Sequence, residues 1–241
     1  MNDEIARWWA GIPPVTKFLF AGMGGLTMIG HFGIISPYSM ILDYSKTFSE
    51  FQVWRLLTGS LYMGRPSLYF LSQLIFLVQQ GSYLENENFG GRKGDFIYML
   101  IVTNLLMHVV AFFMQFYIIS HAMIMVIIYL WSRLNPQGEV SFFFGIRFKA
   151  VYLPWALLLF GILTGGWPVS DFCGIIVAHI YHYLTDIYPI MQRGRPNYLK
   201  TPEWFLNILP VSLKNARQGF AAGQVPVQEA GHRWGRGNRL G

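Results

Sequence analysis

The feature that most constrains the fold is a run of 37 residues, from Phe96 to Ser132, without Asp, Glu, Lys or Arg. A bilayer core about 30 Å thick is crossed by about 20 apolar helical residues, so this run is long enough for two spans. A second uncharged run extends from Phe18 to Leu42, and the stretch from Ala150 to Asp186 is interrupted only by Asp171. This pattern predicts a polytopic, all-α membrane protein.

The composition agrees with a lipid environment. Charged residues make up 12% of the chain and hydrophobic residues 53%, whereas a soluble globular domain carries about 25% charged residues. The net charge of +6 could suggest nucleic acid, but the basic residues flank apolar segments, which is typical of membrane proteins. Nucleic acid is therefore not an expected partner. The single Cys173 excludes an internal disulfide and a multi-cysteine zinc site.

The apolar segments predict six transmembrane helices, at residues 15–35, 66–84, 96–116, 118–131, 150–164 and 169–188. An amphipathic segment at residues 2–12 precedes them, and Pro13-Pro14 ends it. Its tryptophans favour the headgroup level, so it is predicted to lie on the membrane surface. Three regions follow: an interfacial helix at 1–14, a membrane domain at 15–188 and a tail at 189–241. A loop at 36–65 joins the first two spans.

The distribution of Lys and Arg predicts the orientation, because short cytosolic connections carry an excess of basic residues. Three basic residues lie on one side: Lys46, Arg55 and Arg65. Ten lie at the ends of the chain and in the even-numbered connections: Arg7, Lys17, Arg92, Lys93, Arg133, Arg147, Lys149, Arg193, Arg195 and Lys200. Both termini are therefore predicted to be cytosolic.

Polar residues within spans are candidates for function, because their burial in lipid is costly. Gly174, Ala178, His179 and His182 mark the predicted packing and polar face of span six, and Asp186 follows on the same face. Imidazole and carboxylate suit zinc, but two His and one Asp lack a fourth ligand. Hydrogen bonding between helices is the favoured interpretation, and no metal or cofactor is expected.

Ser120 and His179 could form the nucleophile and base of an intramembrane serine protease. Such a nucleophile needs an adjacent base and nearby oxyanion donors. Ile119 and His121 flank Ser120, so the small residues that would open backbone donors are missing. No catalytic residue is therefore assigned. The polar face of span two, which includes Gln73, would also allow a small-solute transporter, but the inverted repeats typical of transporters are absent from the sequence.

Two further motifs lie outside the spans. Trp54-Arg55 sits in the aromatic-rich loop, where the guanidinium could bond a row of carbonyls or act as an interfacial anchor, and both interpretations stay open. The chain ends in a basic, glycine-spaced segment that contains Trp234, Gly235, Gly237 and Leu240. An aromatic and a leucine on a flexible tail favour a linear docking motif over a frayed end.

These motifs resemble the Derlin family, the rhomboid-like pseudoproteases of endoplasmic-reticulum-associated degradation. The resemblance covers nearly the whole chain: IPPVT at 12–16, WRLLT at 54–58, NENFGG at 86–91, VSF at 140–142, GIRFKAVYLPW at 145–155, Gly174, His179 and Thr201-Pro202. The terminal WGRGNRL at 234–240 is similar to the family's SHP box. Ala178 is a departure, because the family has the second glycine of a GxxxG there.

The resemblance implies a six-helix, rhomboid-like fold without protease activity in the endoplasmic reticulum membrane. It implies a retrotranslocation factor that moves misfolded proteins to the cytosol alongside a membrane ubiquitin ligase complex. The SHP-like tail would bind the valosin-containing AAA+ ATPase. A homo-oligomer is left open. The predicted span five is only 15 residues, about 22 Å at 1.5 Å per residue, so local thinning of the lipid bilayer is expected.

Overall fold

A computed structural model of the protein describes residues 2–142, 145–165, 168–191, 199–210 and 213. The chain begins with α1 (Asn2–Gly11) and α2 (Pro14–His31). The axes of these two helices differ by 114° at Pro13, since proline cannot continue a helix with a full set of hydrogen bonds. The exposed Trp8 and Trp9 lie on α1, and its position at the membrane surface stays a prediction.

The predicted loop at 36–65 contains three short helices, which are α3 (Pro37–Met40), α4 (Tyr44–Ser49) and α5 (Trp54–Leu61). Sequence analysis missed them because each is too short to show helical periodicity. The remaining large helices are α6 (Leu68–Tyr83), α7 (Lys93–Met114), α8 (Ser120–Leu134), α9 (Leu153–Leu163) and α10 (Val169–His182).

Smaller elements connect and extend these helices. A π-helical segment (Leu84–Asn88) follows α6, and another (Tyr183–Ile187) joins α10 to α11 (Tyr188–Met191). The predicted linker after α8 contains a short antiparallel hairpin, β1 (Glu139–Ser141) and β2 (Arg147–Lys149), so the described part of the chain is helical with one small sheet. A 3-10 turn (Ala150–Tyr152) leads into α9, and α12 (Glu203–Ile208) lies in the tail.

Helix α8 forms the centre of the bundle. Twelve of its 15 residues are buried, as expected of a helix that is hydrophobic on all sides. Tyr69 of α6 stacks on His121 near the start of α8, and Tyr83 of α6 meets Trp131 near its end. These two helices are therefore parallel. Helix α2 runs the opposite way, because its first turn lies beside the last turn of α6.

Large apolar side chains face outward along whole helix faces. On α7 these are Ile101, Leu105, Val109 and Phe112, on α9 Trp155, Leu159 and Ile162, and on α10 Phe172, Ile176 and Ile180. Such continuous apolar faces are typical of surfaces in contact with lipid. Among the described helices, α7 alone is long and apolar enough to cross a membrane, and the bent pair of α1 and α2 would add a second. Six spans with cytosolic termini stay a prediction.

Candidate functional sites

A buried polar network links α6, α8 and α10. The hydroxyl of Tyr69 donates a hydrogen bond to Asp171 and accepts one from Gln73 Nε2 at 2.6 Å. Gln73 Oε1 lies 2.6 Å from His121 Nδ1, and His121 Nε2 lies 3.0 Å from the carbonyl oxygen of Met63. Asp171 and Gln73 are 3% and 0% exposed. One chain of hydrogen bonds therefore joins an acid to a base.

This series of hydrogen bonds can have no net charge. Both nitrogens of His121 face acceptor oxygens. His121 Nδ1 then donates to Gln73, Gln73 donates to Tyr69, and Tyr69 donates to Asp171. With the proton on Asp171, both end groups are neutral. With the proton on His121, a carboxylate and an imidazolium balance each other, so the burial penalty of one isolated charge is avoided. The sequence pattern drew attention to the polar residues of span two, but it did not place Asp171 or Tyr69 beside them.

The polar residues of span two divide into two groups. Ser72 is buried and donates to the Tyr69 carbonyl at 2.7 Å, and Gln73 belongs to the network above. Gln79 and Gln80 instead line a cavity of about 670 Å³ at the far end of α6, beside α8 and β1. The polar residues at the start of the helix therefore have partners inside the protein, whereas those near its end line a cavity.

Ser120 does not have His179 as a base. Its hydroxyl is fully buried and donates to the carbonyl of Tyr62 at 2.7 Å. His179 Nδ1 instead lies 2.8 Å from the hydroxyl of Tyr129, nine residues further along α8, which is about 13 Å at 1.5 Å per residue. This geometry does not fit a nucleophile and base within hydrogen-bond reach.

Gly174 and Ala178 lie where α10 crosses α8. A Cβ atom at Gly174 would be 2.5 Å from the carbonyl oxygen of Ala122 and 2.9 Å from its Cα, so the backbones are in direct contact. Ala178, one turn later, is fully buried. Small residues at this spacing allow helices in membranes to pack closely. Because Gly174 lies beside Ala122 and His179 beside Tyr129, α8 and α10 are parallel.

The two histidines of span six have different partners. The Tyr129 hydroxyl bonded to His179 also accepts from Arg133 Nε at 2.9 Å. His182 Nδ1 lies 2.8 Å from Asp186 Oδ2. The face shared by His179, His182 and Asp186 therefore separates into a contact between α10 and α8 and a contact between α10 and the π-helical segment that follows it. Within the described residues, no group of three His, Cys, Asp or Glu side chains is placed to hold a metal ion.

Arg55 is buried within the loop at 36–65. It is 5% exposed, and its Nη1 donates to the carbonyls of Tyr38 at 2.7 Å and Ile41 at 3.0 Å. Its Nε donates to Gln52 Oε1 at 2.6 Å. The neighbouring Trp54 is 53% exposed. The guanidinium therefore joins three parts of the loop, while the indole faces outward.

The same loop is attached to α7 by a polar cluster. Asn104 Nδ2 donates to Ser60 Oγ at 2.9 Å, and Tyr44 donates to the carbonyl of His108 at 2.9 Å. Burial raises the pKa of Tyr44 to about 12. The ring of His108 lies between the hydroxyls of Tyr44 and Ser60.

The start of α2 is capped from another part of the chain. Glu85 is fully buried, and its carboxylate accepts from the backbone N–H groups of Val15 at 3.2 Å and Thr16 at 2.9 Å. A negative charge at a helix N-terminus satisfies free donors and complements the helix dipole. Sequence analysis missed this role. A usable signal was Pro13, which leaves α2 without a local side-chain cap.

The terminal segment with Trp234, Gly235, Gly237 and Leu240 lies outside the described residues. Its docking role therefore stays a prediction from the sequence.

Comparison with known proteins gives one consistent result. The sequence profile of the Der1-like family matches residues 12–203. The probable derlin-1 homolog of Dictyostelium discoideum is 35% identical over 99% of this chain and its own full length. Derlin-1 of Homo sapiens is 34% identical over 99% of both chains. Derlin-2.2 of Arabidopsis thaliana is 33% identical over 85% of this chain and 87% of its own length.

Proposed function

Because this chain belongs to the Der1-like family, a family of membrane proteins in endoplasmic-reticulum-associated degradation, we propose that it is a non-catalytic retrotranslocation factor. It lowers the barrier that the bilayer presents to misfolded proteins on their way from the lumen or membrane to the cytosol. It resides in the endoplasmic reticulum membrane, which it crosses six times, with both termini in the cytosol.

The observation that supports this function is the unequal length of the helices with lipid-facing sides. Helix α7 has 22 residues and is about 33 Å long, whereas α9 has 11 and is about 16 Å long. The 3-10 turn before α9 adds about 6 Å. A hydrocarbon core about 30 Å thick matches α7 but exceeds α9, and the bilayer adapts to a short helix by thinning.

Polar residues lie directly behind the short helix. A Cβ atom at Gly161 of α9 would be 3.0 Å from the ring of Tyr69, the residue at the middle of the buried polar network. The exposed Arg147 and Lys149 lie just before α9, where long basic side chains can reach the headgroups. Thin lipid beside polar groups lowers the cost of passing a polar backbone through the membrane.

The proposal also includes partners. The segment with Trp234 and Leu240 binds the valosin-containing AAA+ ATPase, which would pull clients from the cytosolic side. A membrane ubiquitin ligase complex supplies these clients, which are misfolded proteins. The support here is the motif in the sequence and its resemblance to the family.

An active rhomboid protease is the rival function. The buried Ser120 with its bond to Tyr62, and the separate partner of His179, speak against it. Labelling with a serine-directed phosphonate distinguishes the two functions. We expect no labelling at Ser120, and labelling that is lost in Ser120→Ala would support the protease instead.

The thinning is measured directly on the protein in lipid nanodiscs by electron cryomicroscopy. We expect the hydrocarbon layer beside α9 to be several ångströms thinner than the layer beside α7. The reason is that α9 with its 3-10 turn is about 22 Å long, whereas α7 is about 33 Å long. Equal thickness on both sides would remove the physical basis of the proposal.

A further inference from the structure

A separate apolar groove lies between α2 and α7, away from the polar network. Its volume is about 650 Å³. Helix α8 forms its floor, and α5 closes one end. Its walls are almost entirely hydrophobic. Val15, Met23, Leu61 and Met123 line it from the helices, and Leu209 and Leu213 line it from the tail.

The groove opens sideways between its two long walls. Phe18 of α2 is 62% exposed, and Ile101 and Leu105 of α7 are 42% and 60% exposed. All three line the groove. Because α7 is the described helix that is long and apolar enough to cross a membrane, this opening faces the hydrocarbon of the bilayer.

The groove is blind at the end formed by α5. Leu57 and Leu61 lie there, and a hydrogen bond of 2.9 Å from Asn104 Nδ2 to Ser60 Oγ joins α7 to α5. Its walls run from Val15 to Met23 on α2 and from Ile97 to Leu105 on α7. Eight residues of helix correspond to about 12 Å, whereas one leaflet contributes about 15 Å of the 30 Å core.

We propose that this groove binds one acyl chain of a phospholipid from the leaflet at the N-terminal end of α2. The groove has the length of one leaflet and a closed end, which fits a chain that terminates. A transmembrane helix would have to continue through about 30 Å, and α5 blocks its path.

A basic residue lies near the end of the groove opposite α5. Lys17 precedes Phe18 on α2, and its Nζ lies 5.3 Å from the centroid of the Trp9 ring. Tryptophan favours the interface between lipid and water, so α1 and Lys17 lie at the level of the phosphates. An ammonium at this level attracts the phosphate of the lipid whose chain enters the groove.

The test uses the full-length protein in phosphatidylcholine vesicles that contain a phosphatidylcholine with a photoactivatable group at the end of one acyl chain. After irradiation, labelled residues are mapped by mass spectrometry. We expect labelling of Leu61 and Met123, which are 7% and 6% exposed and lie out of reach of lipid that merely surrounds the protein. Moving the photoactivatable group next to the headgroup should shift the label towards Phe18 and Val15.

Two variants provide a matched comparison. Ile101→Trp fills the opening of the groove, whereas Ile176→Trp places the same change on α10, at a residue that is 43% exposed against 42% for Ile101. We expect a several-fold loss of labelling at Met123 in the first variant alone, and Leu105→Trp serves if Ile101→Trp does not fold. Equal labelling in all variants, or labelling confined to outward-facing residues, would overturn the proposal.

Discussion

Glu85 Oε2 accepts hydrogen bonds from both the backbone N–H and the hydroxyl of Thr16, each at 2.9 Å, although 69 residues separate the two in the chain. The segment after α6 thereby holds the first turn of α2. The same segment reaches α8, because Asn135 donates to Asn88 at 2.9 Å. The π-helical segment (Leu84–Asn88) therefore connects three helices at one end of the bundle.

We expect Glu85→Ala to lower the free energy of unfolding by about 2–3 kcal/mol. The substitution leaves buried donors at Val15 and Thr16 without an acceptor, and a lost bond to a charged group costs roughly this amount. Thermal unfolding in mild detergent measures the change. Glu87→Ala is the control, since Glu87 is exposed two residues away, and an equal loss in both variants would contradict the capping role.

We expect Gly174→Ala to separate α8 from α10. The added Cβ would lie 2.5 Å from the carbonyl oxygen of Ala122, and backbone atoms cannot move aside as a side chain can. Overpacking of this kind costs about 1–3 kcal/mol, measured as a lower midpoint of thermal unfolding. In the control Gly25→Ala, a Cβ meets nothing within 4 Å, so stability should be unchanged or slightly higher. Similar losses in both would argue against close packing at Gly174.

We expect Arg55 and Trp54 to differ when each is replaced by Ala. Arg55→Ala leaves the carbonyls of Tyr38 and Ile41 without a donor and should lower the free energy of unfolding by about 1.5–3 kcal/mol. Client degradation should be impaired as well. Trp54→Ala removes an exposed ring and should leave unfolding nearly unchanged. Wild-type stability and degradation in Arg55→Ala would favour the interpretation of Arg55 as an interfacial anchor.

Sequence periodicity located the large helices because apolar length is a local property. The uncharged run at 96–132 divides into α7 and α8 near the predicted position, and the bend after α1 follows from Pro13-Pro14. The polar contacts could not be predicted in the same way. Tyr69 and Asp171 are 102 residues apart in the chain, and their partnership depends on how α6 and α10 pack. The helices in the loop at 36–65 are too short to show periodicity, and the bonds from Arg55 to the carbonyls of Tyr38 and Ile41 reach across 17 and 14 residues.

The tail prediction concerns binding alone. We expect Trp234→Ala to weaken the affinity for the valosin-containing ATPase by on the order of 2 kcal/mol, or about thirtyfold, because short peptides bind through a few buried anchors. Replacing Arg236 and Arg239 should have smaller effects that fade with added salt. Binding of a peptide of residues 228–241 to the purified ATPase measures both. Equal affinity of the wild-type and Trp234→Ala peptides would remove the docking role.

Retrotranslocation itself can be measured in sealed vesicles that hold a misfolded, fluorescent client in the lumen, with the protein in the membrane and the ATPase outside. We predict client release that requires the protein and ATP hydrolysis, and that is the same in wild type and in Ser120→Ala. Release at the rate of protein-free vesicles would contradict a role in retrotranslocation. Client fragments that disappear in Ser120→Ala would contradict its non-catalytic character.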